Sequence, residues 1–351
     1  MAKIQKVAEL AGVSTATVSR ALSGKSSVSP ATRARVEKAA KELGYVVSAN
    51  ASSLASGRTR NVGVVTPFLT SWFYMQVLQG IQHALSDGGY DLTLYHLDPR
   101  TGGGHEPGGD ERRRRLFAEF LRRKRVDGLI AVSLELDDDE LATIRGLGKP
   151  VVGIGGPLQG VPTLSIDDEA IARLATDHLI ALGHRQIAHI AGHPDFELDF
   201  RLPAARRGGY EQGLQAAGIA ADPLLVRTAD FTIAGGYDAT LQLLGDPRVQ
   251  PTAVFAASDE MAVGAILAAR HLGKEVPGDL SVVGIDGHDL ASFFSLTTVD
   301  QFPQTQGRLA VERLLHVLDG TPTEPAHTAL PFDLVVRGST SRPRAAGNSS
   351  R

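Results

Sequence analysis

Along residues 3 to 22, KIQKVAELAGVSTATVSRAL, apolar side chains recur at helical spacing in two short blocks. Ile4, Val7, Ala8 and Ala11 form the inner stripe of the first, and Val18, Ala21 and Leu22 that of the second. Gly12 can take the positive φ that ends a helix, and Ser14 is suited to cap the next. The spacing predicts two short amphipathic helices joined by a glycine-led turn, the layout of a helix-turn-helix reader of DNA. Outward on the second helix stand Thr15, Ala16, Ser19 and Arg20, a set narrow enough to enter a major groove. Taken alone, the pair also fits an ordinary helical hairpin with a solvated face.

A third helix is expected over ATRARVEKAAKELG, opened by Pro30, lined inside by Val36, Ala39, Ala40 and Leu43, and ended by Gly44. Three helices in about 45 residues make a small core. The following YVVSANASSLASGRTR is rich in Ala, Ser and Asn and holds an isolated Leu54. Such a stretch is a poor autonomous helix and reads as a linker able to fold on contact.

From Asn61 the texture changes to short apolar runs alternating with amphipathic helical patterns. NVGVVTP, YDLTLYHL, VDGLIAVS and KPVVGIG form one set of strand candidates; PTLSID, QIAHIAG, LLVRTAD, TAVFAAS and DLSVVGID form a second. Continuous Val/Ile runs between helices predict buried parallel strands, hence two doubly wound α/β lobes with a ligand expected between them at the strand C-termini. The segment FPQTQGRLAVERLLHVLDG and then ALPFDLVVRGS adds a helix and a strand.

Composition narrows the class. The chain has 351 residues, 42% hydrophobic and 21% charged, with no cysteine, so disulfides, thiolate metal sites and a cysteine nucleophile are excluded. No apolar run follows the N-terminal basic residues, so neither a signal peptide nor a membrane span is expected, and a cytoplasmic location is. Residues 1 to 60 hold ten Lys or Arg against three Glu; that +7 leaves −10 for the remainder of a chain of net charge −3. A basic head on an acidic body is the electrostatic footprint of a module that sits on phosphates.

Other constellations point elsewhere. His184, His189 and His193 do not share a helical face, so no metal site is expected; Asp137, Asp138 and Asp139 read as a helix N-terminus. GIGGP lacks the following helix of a dinucleotide loop, and no GxSxG elbow or GK[ST] loop occurs, so neither a cofactor nor an enzyme activity is expected. The runs Arg112–Arg115 and RRKR at 122 to 125 are interspersed with Glu106, Asp110, Glu111 and Glu119 and read as a solvated helix.

The stretch GVSTATVSRALSGKSSVSPATRARVEKAAKELGY resembles the head of the lactose-repressor (LacI/GalR) family of bacterial transcription regulators. The resemblance continues through Leu54, LGHRQIAHIAG, ARRGGY, AVFAASDEMAVGAILAARHLG, VPGDLSVVGIDG and LTTVDQ, covering residues 3 to 338. It implies an all-α helix-turn-helix head (1–46), a hinge helix and linker (47–60), and an α/β periplasmic-binding-protein-like body. The body's N-terminal lobe is expected over 61–162 and 291–320, the C-terminal lobe over 163–290 and 321–338, and a disordered tail over 339–351.

The resemblance also assigns roles. Groove contacts fall on Thr15, Ala16 and Arg20, and backbone contacts on Ser14, Ser19, Ser29, Thr32 and Tyr45. Leu54 matches a residue that wedges into the central base step of the minor groove. Val47 and Ser48 depart from the family's Pro-Asn pair, and Ser52 replaces a common Arg. In the body, Phe73, Arg206, Phe231, Ser258 and Asp286 match effector-contacting positions. Arg206 and Asp286 are expected to face the cleft as a charged pair able to grip hydroxyls. Ser258 stands where many relatives have Asn, and Gly155 where some have an acid.

The expected function is a repressor of a carbohydrate-utilisation operon, relieved by a sugar-like effector. Its expected partners are palindromic operator DNA, that effector, and a second copy of the chain in a homodimer or a dimer of dimers. A corepressor-dependent regulator binding a purine or other metabolite, and a solute-binding receptor, are the alternatives.

Overall fold

The computed structural model describes residues 4–22, 28–45, 58–97, 126–134, 136–146, 148–193, 202–321 and 326–344. Residues 47–57 of the expected hinge and linker (47–60), Leu54 among them, the solvated helix expected around Arg112–Arg115 and 122–125, and residues 345–351 of the expected tail lie outside these residues.

In the N-terminal unit, α1 (Ile4–Ala11), α2 (Thr15–Leu22) and α3 (Pro30–Glu42) close around Val7, Val18 and Val36, all fully buried. Gly12 takes φ +62° in the turn between the first two helices, as its position in the sequence predicts. Ser29 caps α3 by accepting the Thr32 N–H, and Pro30 occupies the first helical position, where a missing N–H costs nothing.

The body is built on two six-stranded sheets. Its elements are β1 (Asn61–Thr66), α4 (Trp72–Asp87), β2 (Asp91–His96), β3 (Gly128–Val132), α5 (Asp138–Gly146), β4 (Val151–Ile154), β5 (Thr163–Ser165), α6 (Asp168–Ala181) and β6 (Ile187–Gly192). They continue as α7 (Leu202–Ala216), β7 (Val226–Ala229), α8 (Ile233–Gly245), β8 (Ala253–Ala256), α9 (Asp259–His271) and β9 (Ser281–Asp286). The chain then runs through β10 (Thr297–Asp300), α10 (Pro303–Leu318), β11 (His327–Ala329) and β12 (Asp333–Val335).

The first sheet has the order β11-β5-β4-β3-β1-β2 and the second β12-β10-β9-β8-β6-β7. The central strands β1, β3, β4, β6, β8 and β9 are almost wholly buried, as their unbroken apolar runs require of parallel strands covered on both faces. Asp137 and Glu140 cap α5 reciprocally: the Asp137 carboxylate accepts the Glu140 N–H at 2.7 Å and the Glu140 carboxylate the Asp137 N–H at 3.1 Å.

The lobe boundaries differ from the expected ones. PTLSID pairs with β4 and so completes the first sheet, whereas LTTVD supplies β10 beside β9 in the second. The expected single C-terminal strand is two: β11 runs parallel to β5, and β12 antiparallel to β10. The chain therefore passes between lobes after β5, after β10 and after β11. A strand of three or four residues carries no signal saying which sheet it joins, because that choice is made by tertiary pairing.

Residues 339–344 are not a loose tail. Ser339 is buried and donates to the Val282 carbonyl at 2.5 Å, Ser341 N–H donates to Ser281 Oγ, and the Ser341 carbonyl meets His184 Nε2 at 2.8 Å. The polar composition that suggested disorder instead supplies hydrogen bonds along β9.

Helices α4 and α10 cross at two glycines. A Cβ on Gly80 would lie 2.0 Å from the Gln304 carbonyl oxygen, and one on Gly307 2.2 Å from the Val77 carbonyl oxygen. The crossing helix carries the residues after β10 into the first lobe and so fixes one margin of the cleft.

Candidate functional site

On the N-terminal unit, Ser14, Thr15, Ala16, Ser19 and Arg20 are all exposed, while Val18 and Ala21 on the same helix are buried. The α2 surface therefore presents the set that the helical periodicity predicts. Ser14 Oγ accepts the Thr17 N–H at 3.2 Å, so this side chain caps the helix while remaining on its outer rim. Ser29 is exposed, Thr32 and Tyr45 are half-buried, and the Ser29 hydroxyl donates to Thr32 Oγ1 at 2.9 Å.

Within the body, the C-terminal ends of β1, β2, β3, β4, β7, β8 and β9 open onto one cavity of about 410 Å³. This is where open α/β sheets bind ligands, since the loops there are free to diverge. All five expected effector residues line it: Phe73 from the first lobe, and Arg206, Phe231, Ser258 and Asp286 from the second. Gly155 lines it as well. Phe231 sits over Gly192, where a Cβ would fall 2.2 Å from the ring, and holds φ +60°. Asp286 holds φ +136°. A non-glycine residue in this region costs about 1–3 kcal/mol, which the packing around the cleft sustains.

Arg206 and Asp286 are both in the cavity wall, and the ion pair that Arg206 makes is with Asp168. The Arg206 Nε–H donates to the Asp168 carboxylate at 2.9 Å, and a second guanidinium N–H donates to the Ala257 carbonyl. Asp286 accepts the Gln301 side-chain N–H at 2.8 Å on Oδ1 and lies 3.4 Å from the Asp259 N–H on Oδ2. Gln301 is itself held through its carbonyl by the Gln306 side chain. Arg206 is only 3% exposed and Asp286 5%, so a ligand hydroxyl reaching them would replace little water and meet an already oriented group. Ser258 Oγ accepts the Met261 N–H and thus caps α9 from inside the cleft.

Charge in the cavity is dominated by carboxylates. Burial pushes the Asp286 carboxyl well above its usual range; the Arg206 guanidinium pulls it down, and Asp259 and Glu260 push it further up. Burial raises Asp168 against the pull of Arg206, and raises Glu260 against the hydrogen bond from the Trp72 backbone N–H. Behind Asp286, buried Asp259 accepts the His288 N–H at 2.8 Å and the Thr298 hydroxyl at 2.9 Å, and burial pushes it up to about 7.

Asp168, Glu260 and Gln301 escape a reading by sequence pattern. Asp168 and Glu260 stand in the runs SIDDEA and SDEMA, where first-turn acids are expected on dipole grounds alone. Gln301 carries no local pattern; its role comes from the passage of the chain out of the second lobe.

Comparisons with known proteins agree with this layout. Residues 3–48 match the model described as bacterial regulatory proteins, lacI family, and residues 176–340 the periplasmic binding protein-like domain. The HTH-type transcriptional regulator CelR of Thermobifida fusca is 37% identical over 348 residues, covering 96% of this chain and 97% of the relative. The solved structure of a transcriptional regulator CelR-cellobiose complex is 36% identical, with a TM-score of 0.67 over 97% of this chain and 100% of that one. The Lac repressor dimer bound to operator and the anti-inducer ONPF is 30% identical, with a TM-score of 0.81 over 97% of this chain and 99% of that one. With identity of this extent running through both head and body, the chain belongs to the lacI family of bacterial regulatory proteins.

Proposed function

We propose that this protein is a sequence-specific repressor that binds a palindromic operator as a homodimer and releases it when a small sugar-like effector enters the cleft. The observation that carries the reading is the cleft itself, a cavity that gathers Phe73, Arg206, Phe231, Ser258 and Asp286 from two lobes of a chain whose head bears an exposed α2. Aromatic faces beside oriented charged groups are what recognition of a ring with several hydroxyls demands. The CelR structure with cellobiose and the operator-bound Lac repressor dimer support the ligand class and the two-copy arrangement.

At the DNA, Arg20 is suited to guanine, Thr15 to a hydrogen bond or methyl contact, and Ala16 to a methyl contact. Ser14, Ser19, Ser29, Thr32 and Tyr45 are assigned to the phosphate backbone, and Leu54 to the minor-groove wedge. No bond is made or broken in the cleft; the ligand acts by preferring one arrangement of the lobes, and a tenfold preference supplies about 1.4 kcal/mol per site.

The test is the affinity of Arg20→Ala for an operator chosen from randomised palindromes, at fixed salt. Loss of one base contact weakens specific binding by about 1–3 kcal/mol while binding to random DNA falls less. Equal affinity of the variant and the native chain for the chosen operator would overturn the assignment.

A further inference from the structure

The cleft wall is unbalanced in charge. Asp168, Asp230, Glu260 and Asp286 all line it, while among the described lining residues only Arg206 and His96 can carry positive charge. Arg206 already serves Asp168 and the Ala257 carbonyl, and His96 Nε2 lies 3.1 Å from the Pro67 carbonyl. Asp230, Glu260 and Asp286 share the remaining space, and Arg206 acts on Asp286 as well as on Asp168. They feel one another: Asp230 raises Glu260, and Glu260 raises Asp286.

We infer that the cleft is a charge filter that admits neutral and amine-bearing polyols and rejects phosphorylated and carboxylate-bearing ones, with Glu260 and Asp230 as the residues that set this specificity. This deepens the proposed function and rests on the cleft being the effector site.

The physics is one of desolvation. A phosphate entering a narrow site loses its water and needs backbone N–H groups or several cations in exchange. Two helix N-termini that could offer such donors face carboxylates of the protein instead. The Trp72 backbone N–H at the start of α4 acts on Glu260, and the N-terminus of α8 is capped by Thr232, whose hydroxyl in turn donates to Asp230 at 2.6 Å. An uncharged hydroxyl meets no such opposition, because a carboxylate accepts its hydrogen bond directly, and an ammonium group would relieve the crowding of like charges.

The experiment uses the full-length protein and matched sets on three scaffolds: cellobiose, glucose and ribose, each as the neutral sugar, the phosphate ester, the aldonic acid and, for glucose, the 2-amino sugar. Binding is read by thermal shift and by the fluorescence of Trp72, the chain's one tryptophan. The expected result is that binding members are neutral or amine-bearing, with anionic counterparts at least 100-fold weaker. In the paired variant Glu260→Gln with Asp230→Asn, which keeps both side chains as hydrogen-bond acceptors, the ratio of neutral to phosphorylated affinity falls at least tenfold. An anionic member binding as tightly as its neutral counterpart, no binding by any member, or an unaltered ratio in the variant would each overturn the inference. Operator binding measured on the same preparations separates the two failures: a chain that selects ligands in this way yet binds no operator refutes the regulatory reading alone.

Discussion

The indole of Trp72 stacks on the imidazole of His288 with ring centroids 4.4 Å apart and planes inclined by 23°, while its Nε1–H donates to the Asp289 carboxylate at 3.1 Å. Trp72 begins α4 in the first lobe; His288 and Asp289 follow β9 in the second. The Trp72 backbone N–H also acts on Glu260, so one residue of the first lobe meets the second at three places. Ser71, the residue before this helix, makes no side-chain cap among the described residues. Stacking and a hydrogen bond each contribute about 1 kcal/mol, so Trp72→Ala weakens effector binding by about 2 kcal/mol, roughly thirtyfold, mainly through faster release. Stopped-flow dissociation checks this, and an unaltered release rate would show that the contact does not hold the cleft closed.

His189 sets an acid limit on stability. It is fully buried between the Tyr210 and Phe255 rings, its Nδ1–H donates to the Phe255 carbonyl, and its Nε2 has no partner among the described residues. Burial pushes its pKa down to about 4, so the folded protein keeps it neutral while the unfolded chain protonates it below about 6.5. The associated stability is complete above pH 6.5 and is lost as the pH falls toward 4, by roughly 2–4 kcal/mol. His178 and His184 are also lowered by burial and add to the same trend. His189→Asn retains a donor for Phe255, and its melting temperature should fall less between pH 6.5 and 4 than that of the native chain. Parallel curves would contradict the assignment.

The α4–α10 crossing has no room for a methyl group at Gly80 or Gly307. Both close neighbours are backbone carbonyls, which cannot rotate away as a side chain would. Gly80→Ala is expected to cost about 1–3 kcal/mol, or a few °C in melting temperature. A variant as stable as the native chain would mean that the helices separate without penalty.

The parts of this fold legible in the sequence are those written in local pattern. Val7, Val18 and Val36 announce the head by spacing, and the runs at β3, β6 and β9 announce buried parallel strands. The five cleft residues are legible through the family resemblance and do come together, because each stands at or just beyond the end of a strand or in the helix that follows one. What escaped was decided by long-range pairing: the lobe to which β5, β10 and β11 belong, the packing of Ser339 and Ser341 on β9, and the choice of Asp168 over Asp286 as the ion-pair partner of Arg206. Local spacing holds no record of contacts made 38 or more residues apart.

The central claim is that a ligand among Arg206, Phe231 and Asp286 governs what Thr15, Ala16 and Arg20 do at the operator. The most direct measurement is operator affinity by fluorescence anisotropy at fixed salt, titrated with a ligand found to bind the native cleft, for the native chain and for Arg206→Ala. The account predicts that the ligand weakens operator binding by the native chain at least tenfold. It predicts that Arg206→Ala binds the operator normally but no longer responds to the ligand. An undiminished response in Arg206→Ala, or a native chain whose operator affinity ignores a bound ligand, would contradict it.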